Sequence, residues 1–127
     1  MKTRYVIALA VVAGVVLGAF ASRALVAQKP PTGFYIAEVF DVTNQDDFNT
    51  YAAGVPATIA KYGGRYLVRG GKTQSLEGEP PKRIIVMTFD SAEAARKWYD
   101  SPEYSAIKPI RQRSAKARGF IVEGVPQ

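Results

Sequence analysis

The sequence predicts an α+β domain: a four-stranded antiparallel sheet with its helices on one face, in the order β-α-β-β-α-β. Three observations predict it. Short runs rich in aromatic and β-branched residues recur along the chain, at Phe34–Val42, Arg65–Arg69, Arg83–Phe89 and Gly119–Gly124. Between the first and second, and between the third and fourth, apolar residues recur at helical spacing. Paired glycines and prolines punctuate the boundaries, as in Gly63-Gly64, Gly70-Gly71 and Pro80-Pro81.

Each element has its own signals. Phe34–Val42 reads FYIAEVFDV, a strand composition. Asn44, Asp46 and Asp47 open a helix, where carboxylates suit the positive end of the dipole. Phe48, Tyr51 or Ala52, Val55, Ile59 and Tyr62 give its apolar stripe, and Gly63-Gly64 stops it. Pro56 removes a donor, so a kink or split near Ala52–Val55 is expected. Arg65–Arg69 is the second strand, Gly70-Gly71 allows a bulge or tight turn, and Lys72–Leu76 is expected to continue the strand. Glu77–Pro81 is a loop and Arg83–Phe89 the third strand. Asp90-Ser91-Ala92-Glu93 resembles a capping box, with Asp90 in the cap position, and starts a helix that runs to Trp98 or Tyr99. Ser101-Pro102 is an N-cap followed by proline at the first helical position, so a second segment runs towards Arg113. Gly119–Gly124 is the last strand.

This is the ferredoxin-like order. The strands add a further inference. Phe34, Ile36 and Phe40 point one way and Tyr35, Ala37 and Val39 the other; Ile84 and Val86 oppose Ile85, Met87 and Phe89. Both faces are apolar, yet the helices cover only one, and a wet face would alternate polar residues. A second copy is the simplest cover, which makes a dimeric α+β barrel. Ile85 or Met87 is expected at that interface, the choice of face being open.

The N-terminus predicts export. Lys2 and Arg4 precede an uncharged run, Tyr5–Ala21, ending in the A-x-A site Ala19-Phe20-Ala21. Residues 1–21 are therefore a cleaved signal peptide or an uncleaved anchor in the inner membrane through residues 5–21, with the domain periplasmic or otherwise extracytoplasmic. Residues 22–33, containing Lys29-Pro30-Pro31, form a linker, and 34–125 the domain. The membrane is a partner only through an uncleaved N-terminal segment.

The chain has neither cysteine nor histidine. That removes Ser-His-Asp and Cys-His nucleophiles, Cys/His zinc sites and His or Cys haem ligation, and no metal or cofactor is indicated. An exported domain without disulfides relies on its core or on oligomerisation. The net charge is +6, or +4 without Lys2 and Arg4. Lys108, Arg111, Arg113, Lys116 and Arg118 form a basic cluster; export argues against a nucleic-acid partner and for a solvated face.

Two groups of residues are candidates for a site. Arg69, Glu77 and Arg111 form either a ligand-binding cluster, Arg69 offering a fork for a carboxylate beside open glycine N–H groups, or a structural ion pair fixing the turn. Tyr62, Trp98 and Tyr104 either wall a small-molecule cleft or belong to the core. Glu38 lies on the side of Phe34 and Ile36; buried, it would be a proton-transfer candidate.

Tyr51, Pro56, Lys61–Tyr66, Arg69-Gly70-Gly71, Glu77-Gly78, Arg83, Phe89, Ala95, Trp98-Tyr99, Ser101-Pro102, Tyr104 and Arg111 together resemble the domain-of-unknown-function 1330 family of the dimeric α+β barrel superfamily. The resemblance spans about Phe34 to Gly124. It implies the fold and the homodimer, and supplies no reaction, cofactor or catalytic residue. The expected function is binding of a small apolar or anionic ligand; the alternative is a cofactor-light enzyme of monooxygenase, isomerase or lyase type using carboxylate, Tyr and Arg groups.

Overall fold

The computed structural model describes residues 29–127. The expected signal or anchor, and the linker up to residue 28, lie outside the described residues.

Seven elements follow in order: β1 (Gly33–Val42), α1 (Gln45–Lys61), β2 (Arg65–Arg69), β3 (Arg83–Phe89), α2 (Ala92–Tyr99), α3 (Pro102–Ser114) and β4 (Ala115–Glu123). The strands form one antiparallel sheet in the order β2-β3-β1-β4. The fold is ferredoxin-like, and the helices lie on one face of the sheet.

Strand register decides what each face carries, because residues paired across an antiparallel ladder share a side. Tyr35 pairs with Met87 and Ile121, and Ala37 with Ile85. Tyr35, Ala37, Val39, Met87 and Phe89 are buried under the helices, against Val55, Ile59, Trp98 and Tyr104. Ile85 packs against the same core. Ile85 and Met87 are therefore core positions, and the expectation that either lies at an interface is corrected. The opposite face carries Phe34, Ile36, Ile84, Val86, Phe120 and Val122, with Phe120 and Val122 exposed. That face is apolar, and no element of the chain's described residues covers it.

Four boundaries differ from the sequence reading. Of the kink or split expected at Pro56, the split does not occur: α1 runs unbroken from Gln45 to Lys61. Asn44 caps it, its side chain accepting from Asp47 N–H at 3.1 Å. The carbonyl that Pro56 leaves without a helical donor is that of Ala52. Arg69 Nη2 donates to it at 3.2 Å. A side chain from β2 thus replaces the missing backbone bond. Lys72–Leu76 does not continue β2. Gly70, at φ +66°, donates its N–H to Ile84 O at 2.9 Å and turns the chain away; β2 is the sheet's edge, so nothing beyond offers a partner. The cap of α2 is Ser91, whose Oγ accepts from Ala94 N–H at 3.0 Å, and not Asp90. Finally, β4 begins at Ala115, directly after α3, because Ala115 and Ala117 pair with Val42 and Val39.

Candidate functional site

The helix-covered face holds a group of phenols around one arginine. The strand β1 supplies Tyr35, α1 supplies Tyr51, and α3 supplies Tyr104 and Arg111, two turns apart on one side of the helix. The Tyr51 and Tyr104 hydroxyls are 2.7 Å apart. Trp98 covers Tyr104, with ring centroids 4.2 Å apart, and stands edge-on to Tyr35 at 5.0 Å. Its indole N–H donates to Thr58 Oγ1 at 3.0 Å, and Thr58 donates on to Val55 O at 2.7 Å. Ser101, the cap of α3, donates to Trp98 O and accepts from Tyr104 N–H, which locks the turn between the two aromatics.

Electrostatics make the group unusual. Burial pushes the Tyr35, Tyr51 and Tyr104 hydroxyls well above the ordinary phenol value, and Arg111 only partly opposes it. All three are neutral phenols at neutral pH. Burial works against the Arg111 charge, and the neighbouring Tyr104, Tyr35 and Tyr51 outweigh it, so Arg111 stays protonated. It is only 8 % exposed, and among the described residues no carboxylate pairs with it. Its guanidinium engages the Tyr104 hydroxyl, but its Nε has no hydrogen-bond partner; the Tyr35 hydroxyl, in a residue 2 % exposed, lies near Tyr104 without an ordinary hydrogen bond. A buried cation among neutral phenols, with two polar atoms lacking ordinary partners, carries a desolvation cost that these contacts offset only in part.

Tyr35 also walls a cleft of about 350 Å³ at the β4 edge, together with Arg96, Tyr99, Gly119, Phe120 and Ile121. Glycine is required at 119, where a Cβ would come within 2.6 Å of the Tyr35 hydroxyl. Tyr35 therefore touches both a solvent-facing cleft and the electrostatic environment of Arg111. The cleft is at the small end of the ~300–1,000 Å³ typical of ligand sites. Among the described residues, no three carboxylates gather as a metal set would.

The other sequence candidates are placed as follows. Arg69 serves the Ala52 carbonyl and lies 4.7 Å from the Tyr66 ring centroid. Glu77 is exposed in the loop after β2, and none of the ion pairs among the described residues includes it. The three members of the expected polar cluster have separate surroundings, and the Gly70 N–H is taken by Ile84 O. Arg111 is buried although the basic cluster around it reads as solvated. Of the aromatic candidates, Trp98 and Tyr104 meet in the core. Tyr62 caps α1 and donates to Glu103 Oε2 at 2.8 Å. Lys61, the Glu103 backbone and Tyr62 all bond that carboxylate and hold its pKa down to about 2. Glu38 lies on the uncovered face and takes both Arg118 Nε and Nη2, at 2.7 and 2.6 Å. The sequence reading missed Tyr35 and Tyr51. The available signal was chemical: each is a phenol at an inward position of its element, and Arg111 follows Tyr104 by seven residues on one helix side.

The Arg69 contact predicts a stability effect. Arg69→Ala leaves the Ala52 carbonyl to water and is expected to cost about 0.5–1 kcal/mol in urea unfolding. A Pro56→Ala background restores the backbone donor and should remove most of that loss. Equal losses in both backgrounds would contradict the role.

Solved structures share the fold at low identity. A protein of unknown function from Rhodopseudomonas palustris is 15% identical, with a TM-score of 0.60 over 85% of this chain and 92% of its own. A dimeric ferredoxin-like protein of unknown function from Thermobifida fusca is 15% identical, with a TM-score of 0.55 over 74% and 92%. A hypothetical protein from Arabidopsis thaliana is 17% identical, with a TM-score of 0.52 over 77% and 90%. No curated protein matches the chain. Residues 32–125 match the family described as Domain of unknown function (DUF1330), and the chain belongs to that family.

Proposed function

We propose that the protein is an exported homodimeric α+β barrel, each protomer of which holds a small organic anion on Arg111. The observation that carries the ligand reading is the buried Arg111 charge without a carboxylate, with Arg111 Nε and the Tyr35 hydroxyl both unpaired. A carboxylate admitted beside Arg111, by displacing side chains that now enclose it, would neutralise the charge. Tyr99, Phe120 and Ile121 give the adjoining cleft walls for an aromatic or aliphatic remainder.

The homodimer is supported by the uncovered apolar face and by the Thermobifida fusca neighbour, which is described as dimeric. Export is supported by the sequence of residues 1–21 alone. N-terminal sequencing of the protein from its host should begin near Ser22, or the intact chain should fractionate with membrane; soluble cytoplasmic protein retaining Met1 would contradict export. The enzyme alternative has less support. Its base would have to come from groups that are neutral phenols here, and Glu38 sits on the other face, held by Arg118.

Arg111→Met tests the ligand reading, because methionine fills similar space without charge. Thermal melts with and without benzoate are expected to show stabilisation of the wild type and no response of the variant. The ligand-free variant should be as stable as wild type, or up to about 4 kcal/mol more stable. A variant that is strongly destabilised, with benzoate inert on both proteins, would make Arg111 a structural post.

A further inference from the structure

A second cleft, of about 330 Å³, opens at the end of the sheet where β1 and β2 finish and β3 begins, lined by Val42, Gln45, Phe48, Gly70, Lys82 and Arg83. Its chemistry differs from that of the Arg111 cluster. Arg83 starts β3 on the helix-covered side, and among the described residues no carboxylate pairs with it. Its Nε is buried without a partner. Its guanidinium lies directly over Gly70: a Cβ there would come within 2.9 Å of Cζ and Nη1. The glycine thus serves two needs at once, the +66° φ of the turn and the room for this arginine. Lys82 adds a second charge at the rim, engaged only at 3.4 Å by Asp41. Phe48, whose ring centroid is 5.8 Å from Arg83 Cζ, and Val42 supply an apolar shelf.

We infer that this cleft binds the phosphate group of a small phosphomonoester, with Arg83 as the fork, Lys82 as the second charge, and the organic part on Phe48 and Val42. Two cations in the cleft, Lys82 and Arg83, against the single Asp41 favour a dianion over a monocarboxylate. Arg83 lines the cleft and has no carboxylate partner among the described residues, so a phosphate can pair with its guanidinium without displacing one. The apolar shelf distinguishes an ester from inorganic phosphate. Free phosphate and a phospholipid headgroup share the recognised chemistry, and the experiment separates them.

Titration calorimetry at fixed ionic strength on the purified full chain uses phenyl phosphate, inorganic phosphate and benzoate. Phenyl phosphate is expected to bind several-fold tighter than inorganic phosphate, with benzoate weaker than either at this site in an Arg111→Met background. Arg83→Gln should weaken phenyl phosphate at least about tenfold, the loss of a charge-assisted contact. Lys82→Gln, at an exposed residue, should weaken it several-fold with an unchanged melting curve. Arg111→Met should leave phenyl phosphate binding intact, so this inference and the Arg111 reading fail separately. Unaltered affinity in both Arg83→Gln and Lys82→Gln overturns the site. So does equal binding of benzoate and phenyl phosphate, which would be general charge attraction. Sedimentation with phosphatidate vesicles in the absence of phenyl phosphate binding would assign the surface to lipid and overturn the ester.

Discussion

Met87→Asp is expected to leave the chain unfolded, while Val86→Asp, one residue away, is expected to give a folded monomer. Met87 is buried between sheet and helices, paired with Tyr35. Removing it costs about 2–5 kcal/mol in lost burial and cavity, and a carboxyl put in its place has no partner there. Together these approach the ~5–15 kcal/mol that holds a typical domain. Val86 pairs with Ile36 on the uncovered face. A carboxylate there remains hydrated in the protomer and is buried only on dimerisation. Circular dichroism reads the first outcome. Light scattering reads the second, with the wild type at twice the chain mass. A dimeric Val86→Asp protein would place the partner elsewhere, and a native-like Met87→Asp protein would contradict the register.

The second large effect is at Trp98. Its ring is fully buried, against Tyr35, Phe89, Tyr99 and Tyr104. Trp98→Ala is expected to cost about 3–5 kcal/mol in urea unfolding. Trp98→Phe keeps an aromatic ring but removes the N–H that serves Thr58, and is expected to cost roughly 1–3 kcal/mol from that loss. Thr58→Val should cost less in the Trp98→Phe background than in the wild type, because the indole bond is already gone and only the Thr58–Val55 bond is lost. Additive losses in the double variant would mean the indole bond carries no weight. The ligand reading adds a separate consequence. Trp98→Ala should also loosen Tyr104 and Tyr35, so benzoate stabilisation should fall by more than the melting point alone explains.

Much of the fold is legible locally. The strands β1 and β3 declare themselves because both of their faces are apolar and their residues are β-branched or aromatic. The start of β4 is hidden because Lys116 and Arg118 alternate with two alanines at a sheet edge, a pattern that reads as solvated helix or loop. Lys72–Leu76 has strand-like spacing but no neighbour to pair with, and pairing is a tertiary fact. Pro56 reads as a break because its rescue comes from Arg69, on another element. The site follows the same logic. The sequence groups Arg111 with Arg69 and Glu77 by residue type, whereas in the fold the helix side of Arg111 meets Tyr104 and the sheet brings Tyr35. An inward tyrosine reads as core until an unpaired charge is found beside it.

Native mass spectrometry of the protein purified from its host, with Arg111→Met beside it, tests the central claim most directly. Two chains carrying two copies of a small organic acid are expected in the wild type, and a ligand-free dimer for Arg111→Met. A wild-type dimer without ligand, unaltered by added benzoate, would contradict the reading of Arg111 as an anion receptor, and a monomer would contradict the barrel.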